Sequence, residues 1–252
     1  MREWIPGRHP VYELLKAGRR QVFELMLAEG VQEKDRLAEI LNLCRTQKIP
    51  VGRFPRQKLD DITQPNQGVL LRVGEYPYLD LGAILERARQ RDEPPFILIL
   101  DALQDPQNLG TLLRTAEIVG VHGVLLPFRR TATITPAVVN ASSGASEHLI
   151  IAQLNLHQAI DTLKAAGVWV IGLEGGPRAR SLEQVRLDGP LALVVGSEGQ
   201  GMRQLVERSC DLLLRLPMRG EIDSLNAAVA GSVALYLAWQ ARAFQGRRSA
   251  PG

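Results

Sequence analysis

The alternation of apolar and polar positions divides the chain into two stretches of different texture, separated by a polar, proline-containing segment from residue 74 to 95. In the first stretch, a helix-like pattern covers 11–17, an apolar run covers 22–27 and an amphipathic pattern covers 34–44. The short Val51-Gly52-Arg53-Phe54 and a strand-like run over 68–73 follow. Together they predict a small α/β module of about 75 residues, within the range where domains begin to fold independently.

The second stretch repeats one theme: a short, continuous apolar run, a loop and a helical segment. Runs at 96–100, 123–126, 149–152, 168–171, 191–195 and 212–216 read as strands, with helices near 109–119, 136–143 and 156–166. Strands apolar on both faces that alternate with helices predict a parallel sheet covered on both sides. In such a doubly wound α/β domain, ligands bind beyond the carboxyl ends of the strands. The last helix poses a separate question. Asp223-Ser224-Leu225-Asn226 stands directly before a run rich in Ala, Val and Leu, which reads as a buried helix because it is apolar on nearly every face. Asp223 or Ser224 would cap that helix, leaving Asn226 inside its first turn.

Composition narrows the class. With 252 residues and 45% hydrophobic content, the chain has ample material for a core. No stretch approaches the roughly 20 uninterrupted apolar residues of a membrane span, and the start Met-Arg-Glu-Trp-Ile-Pro-Gly lacks a secretory apolar core, so the expectation is a cytoplasmic protein without a membrane partner. Cys44 and Cys210 are too few and too far apart for a disulfide framework, and His9, His122, His148 and His157 are scattered, so no metal site is expected. A net charge of +3 permits a nucleic-acid partner without requiring one. The pairs Arg19-Arg20, Arg129-Arg130, Arg178 with Arg180, and Arg247-Arg248 read as solvated surface pairs.

Three polar segments sit where the strand-end rule places a site. The first is Asp105-Pro-Gln-Asn-Leu-Gly-Thr-Leu-Leu-Arg114, in which a turn with Asn108 as helix cap is the plain reading, although Arg114 is a cation within an otherwise apolar, small-residue helix. The second is Val195-Gly-Ser-Glu-Gly-Gln-Gly201, whose glycines suit close backbone approach to a ligand but match neither the dinucleotide fingerprint nor a phosphate loop. The third is Leu216-Pro217-Met218 with Ser224-Leu225-Asn226. No Gly-x-Ser-x-Gly elbow supports hydrolase chemistry.

In this order, the three segments resemble the motifs of the SpoU/TrmH-type RNA ribose 2′-O-methyltransferases of the SPOUT class. The resemblance covers residues 96 to about 244, and rests on Asn108, Gly110, Arg114-Thr115-Ala116 and Gly120, on Gly196, Glu198-Gly199 and Gly201, and on the third segment. The whole chain looks like the bacterial subgroup that methylates a guanosine in the peptidyl-transferase region of 23S ribosomal RNA. Gly7-Arg-His-Pro-Val11 and Asn66-Gln-Gly68 resemble that subgroup's amino-terminal markers, with Asn66 standing where relatives usually carry His.

The resemblance implies a ribosomal-protein-like RNA-binding domain over 1–75, a linker over 76–94 and a methyltransferase domain over 95–252, with a deep trefoil knot in the parallel-sheet domain and an active site at a homodimer interface. It implies S-adenosylmethionine (AdoMet) as cofactor, held around Gly196, Leu216, Met218 and Leu225, and 23S ribosomal RNA or an immature large subunit as partner. It assigns the 2′-hydroxyl to Arg114, ribose and arginine orientation to Asn108 and Asn226, a hold on Arg114 or the nucleoside to Glu198, and substrate contact with helix capping to Ser224. A methyltransferase for tRNA or another rRNA nucleotide shares these motifs, and a non-catalytic ribosome-assembly factor would share the fold. A dinucleotide-dependent oxidoreductase would need a glycine fingerprint after an early strand, which is missing.

Overall fold

A computed structural model of the chain describes residues 2–129, 131–222 and 224–246, and the structural statements below concern these. Asp223, Arg130 and the pair Arg247-Arg248 lie outside the described residues. The chain divides into two units, one formed by Met1–Pro77 and Thr133–His148, the other by Tyr78–Ala132 and Leu149–Gly252.

The first unit begins with β1 (Glu3–Pro6), α1 (Arg8–Ala17), β2 (Val22–Ala28), α2 (Arg36–Thr46), β3 (Val51–Phe54), α3 (Arg56–Asp60) and β4 (Val69–Val73). Its sheet has the order β1-β4-β2-β3, with β4 antiparallel to both neighbours and β2 parallel to β3. Val11, Leu14 and Leu15 form the buried stripe of α1, and Leu37, Ile40 and Cys44 that of α2, at the spacing that puts them on one helical face. β1 and α3 were not foreseen, because four- and five-residue elements carry too few repeats to show a period.

The two amino-terminal markers meet here. Gly7 N donates to Val69 O (3.2 Å) and Arg8 N to Gln67 Oε1 (3.0 Å). Gly68 adopts φ +77°, and a Cβ there would lie 2.7 Å from Val31 Cγ1, so this turn accepts only glycine. Asn66 is buried, donating to Asp60 Oδ1 (2.8 Å) and Thr63 O (2.9 Å) and accepting from Gly68 N (2.8 Å). It braces the turn.

The second unit opens with α4 (Leu81–Gln90), within the stretch expected as a linker. Asp80 caps it by accepting from Ala83 N, and Ile84 and Ala88, one helical turn apart, are buried. Ile84 packs against Gly123, where any Cβ would come within 2.4 Å of it. There follow β5 (Phe96–Leu100), α5 (Pro106–Ile118) and β6 (Gly123–Pro127). α6 (Pro136–Ala141) and a 3-10 turn at Ala145–His148 belong to the first unit. The second then resumes with β7 (Ile151–Leu154), α7 (Leu156–Ala165), β8 (Trp169–Leu173), β9 (Arg180–Ser181), β10 (Leu191–Val195), α8 (Gln204–Ser209), β11 (Leu212–Arg215) and α9 (Ala227–Ala241).

All strand pairs in its sheet are parallel, in the order β7-β6-β5-β10-β8-β11-β9. β5, β6 and β10 are buried throughout, which explains their uninterrupted apolar runs. Successive strands leave β5 in one direction as β6 and β7, while β10 and β8 lie on its other side. The boundary between β5 and β10 is therefore a topological switch point, where the loops at the carboxyl ends part and a crevice opens. No described helix is long and apolar enough to cross a membrane.

α9 departs from the expectation of a helix buried on every side. Ala228, Gly231, Ala234, Leu235 and Ala238 face inward, whereas Val229, Val233 and Tyr236 are exposed. A Cβ at Gly231 would meet Leu112 Cδ2 at 2.5 Å and Val195 Cγ2 at 3.0 Å, so the absence of a side chain lets α9 approach α5 and β10. Gly231→Ala is expected to overpack this contact and destabilise the protein by about 1–3 kcal/mol, lowering the midpoint of thermal unfolding by several degrees in calorimetry.

Candidate active site

Each wall of the crevice is built by a loop leaving a strand end. After β5, Asp105 accepts hydrogen bonds from Gln107 N (3.1 Å) and Asn108 N (3.2 Å), and Pro106 opens the helix where its missing N–H costs nothing. Asp105 is thus the cap of α5. Asn108, expected as the cap, lies in the first turn with its side chain free for other partners.

After β10 the chain makes a tight hairpin. Ser197 N donates to Gly201 O (2.9 Å) and Gly201 N to Ser197 O (3.0 Å), with Gly199 and Gly201 in the left-handed region. A Cβ on Gly196 would fall 2.3 Å from the carbonyl carbon of Gly201, so the glycines serve backbone-on-backbone packing that holds Glu198 at the hairpin's turn. The hairpin is anchored by a pair that sequence reading missed. Asp101, directly after β5 and fully buried, accepts from Arg203 N (2.7 Å) and Arg203 Nε (2.7 Å), and its own N–H donates to Val195 O (2.8 Å). An aspartate following five apolar strand residues was the available signal, because a carboxylate placed so deep needs a cation or backbone N–H groups.

Asn226 joins the three segments. Its Oδ1 accepts from Ala228 N (2.9 Å) and Val229 N (3.1 Å), making it the cap of α9. Its Nδ2 donates to Asn108 Oδ1 (3.1 Å) and to Glu198 Oε1. An amide has two acceptor positions and two N–H groups, and all four are used here. The backbone N–H groups fix which way the oxygen points, so the NH₂ is aimed at Asn108 and Glu198. The sequence expectation of Asp223 or Ser224 as cap, with Asn226 inside the first turn, is corrected: the helix starts one residue after Asn226.

A cleft of about 330 Å³ lies over this junction, with Gln104, Asp105, Asn108, Glu198, Gln200 and Arg203 among its lining residues. Arg114 lies six residues beyond Asn108, about 9 Å along the axis of α5, on an exposed stripe with Thr111 and Ile118. On another side of α5, Thr115 Oγ1 bonds Ser232 Oγ of α9 (2.9 Å). Leu216 is buried just past β11, and Met218, Ser224 and Leu225 are exposed on the loop that leads to α9. Asn108, Glu198 and Asn226 are joined by the hydrogen bonds of one amide; Arg114, Ser224 and the apolar positions stand on the surrounding elements.

Groups outside this junction offer little competing chemistry. Burial pushes the Cys44 thiol up to about 11 and the Cys210 thiol up to about 12, so neither supplies a thiolate near neutral pH. His122, His148 and His157 bond Glu93, Glu13 and Ser209, respectively. Among the described residues, no group of three or more His, Cys, Asp or Glu is arranged to hold a metal ion.

Comparison with known proteins places this arrangement. Residues 95–236 match the SpoU rRNA Methylase family, and residues 4–79 match the family described as RNA 2′-O ribose methyltransferase substrate binding. A Bacillus subtilis (strain 168) relative named for the TrmH family of tRNA/rRNA methyltransferases, YacO, is 40% identical over 245 residues, covering 95% of this chain and 96% of its own. One from Staphylococcus aureus (strain MSSA476), named for the same family, is 41% identical over 240 residues, covering 94% and 96%. The fold is similar to that of the SpoU methyltransferase AviRb from Streptomyces viridochromogenes, solved in complex with the cofactor AdoMet (TM-score 0.80, 23% identity, 96% of this chain and 91% of that one). It is also similar to an AdoMet-bound rRNA methyltransferase from Sinorhizobium meliloti (TM-score 0.76, 24% identity, 95% and 87%). With one family match over residues 95–236, a second over residues 4–79, and relatives aligned over nearly their whole length, the chain belongs to the SpoU/TrmH family of RNA 2′-O-ribose methyltransferases.

Proposed function

We propose that this enzyme transfers a methyl group from AdoMet to the ribose 2′-hydroxyl of a guanosine in the peptidyl-transferase region of 23S ribosomal RNA, acting in the cytoplasm on RNA or an immature large subunit. The observation that carries the catalytic reading is the Asn226 amide, which ties the loops after β5 and β10 to the start of α9. Such a junction holds polar groups rigidly at a strand-end crevice, as orientation-dependent catalysis requires.

The residues around the crevice fit the cofactor. Leu216, Met218 and Leu225 offer apolar side chains and backbone polar groups, and the hairpin that follows Gly196 brings further backbone polar groups to the same edge of the sheet, a combination suited to a nucleoside with a methionine tail. When bound, AdoMet supplies a methyl group already activated by a sulfonium. The protein must then orient the ribose and manage the 2′-hydroxyl proton. Arg114 stabilises the developing negative charge at the 2′-oxygen and grips the neighbouring phosphate, since a guanidinium remains charged and offers a fork of donors. Asn108 and Asn226 orient the ribose and the arginine, Glu198 receives the Asn226 amide and faces the nucleoside, and Ser224 contacts substrate from the loop.

Two structural features support the wider reading. β10 lies between β5 and β8, and the chain runs through a tight hairpin before β11, in keeping with a trefoil knot in this part of the sheet. The exposed Val229, Val233 and Tyr236, beside a hollow of about 400 Å³ lined by Ser232, Leu237, Gln240 and Phe244, suit a homodimer interface that would bring the Arg114 stripe to a partner. The amino-terminal unit then selects the RNA.

Transfer of label from AdoMet to unmodified ribosomal RNA, followed by nucleoside analysis and mapping, tests the proposal. The expected product is 2′-O-methylguanosine in the peptidyl-transferase region. A different 2′-O-methylated nucleotide, in rRNA or tRNA, overturns the target; no transfer to any RNA or immature subunit overturns the activity. In the same assay Arg114→Lys is expected to lose about 100-fold or more in turnover, because an ammonium cannot hold the hydroxyl and phosphate in one planar fork.

A further inference from the structure

The loop after β6 carries a feature that the reaction described above does not use. Phe128 follows the last residue of β6 and is 67% exposed, with the exposed Arg129 beside it. Single exposed aliphatic residues are ordinary on protein surfaces, and Phe128 differs from them in three respects. It presents an aromatic face next to a cation. It sits at the carboxyl rim of the sheet, because β6 pairs in parallel with β5, the strand that leads into the cleft. Its loop is also tied to the cleft wall: Thr131 Oγ1 donates to Leu103 O (3.0 Å) and Ala132 N donates to the same oxygen (2.7 Å), and Leu103 is a lining residue of the cleft.

We infer that Phe128 is a stacking platform for an unpaired base of the substrate RNA close to the target nucleotide, with Arg129 on the adjoining phosphate. This rests on the RNA-methylation reading above and adds a substrate-positioning residue to it. RNA bases presented to a protein outside a helix are held chiefly by stacking on aromatic rings, with nearby cations on the backbone. An aromatic side chain forgoes burial by standing in water, and a base supplies the flat apolar partner that a mobile aliphatic chain would not match. The anchor at Leu103 keeps the ring in register with the cleft, so a stacked base fixes its neighbour's ribose near Asn108 and Asn226. Phe128 thereby acts on binding and placement, not on the proton or the methyl group.

The test uses the full-length protein and in vitro transcribed, unmodified large-subunit ribosomal RNA. Phe128→Leu keeps an apolar side chain without the ring; it is expected to raise KM for RNA roughly 5- to 100-fold while AdoMet affinity stays at the wild-type level and kcat at saturating RNA changes little. Phe128→Tyr restores KM. In Phe128→Trp, RNA quenches indole fluorescence beyond the change seen in the wild type. Unchanged KM in Phe128→Leu, or a loss of RNA affinity that merely follows a shift from dimer to monomer in sedimentation, overturns the inference. Should the wild type bind RNA without methylating it, the functional reading fails alone if Phe128→Leu weakens binding and Phe128→Trp is quenched. If neither effect is seen, the stacking role fails as well.

Discussion

Replacing Asn226 by alanine is expected to leave a folded protein that has lost its turnover. The substitution removes a helix cap, worth about 1 kcal/mol, and that cost is small against the packing that holds α9 in place. The same change deletes both amide hydrogens, so Asn108 and Glu198 lose their shared partner and the loops after β5 and β10 are released from one another. Loss of such an orienting contact is expected to reduce methyl transfer by about 100-fold or more. Asn226→Asp separates the two roles. Its carboxylate still accepts from Ala228 N and Val229 N and keeps the cap, but it donates nothing and sets a second negative charge against Glu198. The aspartate variant should therefore unfold near the wild-type temperature while remaining as inactive as the alanine variant. An active, destabilised Asn226→Ala enzyme would make Asn226 a cap and nothing more.

Arg20→Ala is expected to be among the most destabilising substitutions in the chain. The Arg19-Arg20 pair reads in sequence as a solvated surface cluster, yet Arg20 is buried and grips Glu147 through Nε–Oε2 (2.9 Å) and Nη2–Oε1 (2.8 Å), with Glu3 as a further partner at 3.1 Å. Glu147 belongs to the 133–148 excursion, so this bidentate pair fastens that excursion to the amino-terminal sheet within one unit. Removing the arginine strips a carboxylate with 1% side-chain exposure of both its side-chain hydrogen bonds from Arg20 and leaves only the weaker pull of Arg19 and His148, at a cost of about 3–5 kcal/mol.

The pH dependence follows from Glu147. Burial raises its pKa above the ordinary carboxylate value, with Arg20 opposing. A carboxyl group whose pKa is raised by folding contributes most favourably below its unfolded value, and that contribution is lost as pH rises through the folded value. Without Arg20, burial acts with less opposition, so the defect of the alanine variant should be largest at alkaline pH, where Glu147 is ionised, and shrink as pH falls through its raised pKa and the carboxyl takes up a proton. Denaturant unfolding of both proteins across this range measures it. A defect that stays constant with pH would show that lost packing, not stranded charge, is the cause. Arg20→Ala combined with Glu147→Gln should recover part of the loss at the upper end.

The six longer strands of the second unit were legible because a parallel strand covered on both faces carries a contiguous apolar run, complete in β5, β6 and β10 and interrupted by a polar residue only at Gln153 of β7 and Arg215 of β11. β9 was not, since two residues carry no period. α4 was hidden because its buried stripe reduces to Ile84 and Ala88 among Arg, Glu and Gln. The three polar segments of the crevice were visible as residue types at strand ends. Their connectivity was not: Asn108 and Asn226 are 118 positions apart, and only the order of strands brings them together.

By itself, the sequence determined the class of fold, the positions of the strand-end motifs and the family to which they belong, because periodicity and motif residues are local properties of the chain. Tertiary structure alone decided that Asp105 and Asn226 are the helix caps, that Asp101 needs Arg203, that Arg20 is an interior cation, and that residues 133–148 complete the amino-terminal unit. Each of these depends on which distant groups share a desolvated space. A polar side chain there must find its partner wherever the fold supplies one, and sequence separation places no limit on that choice.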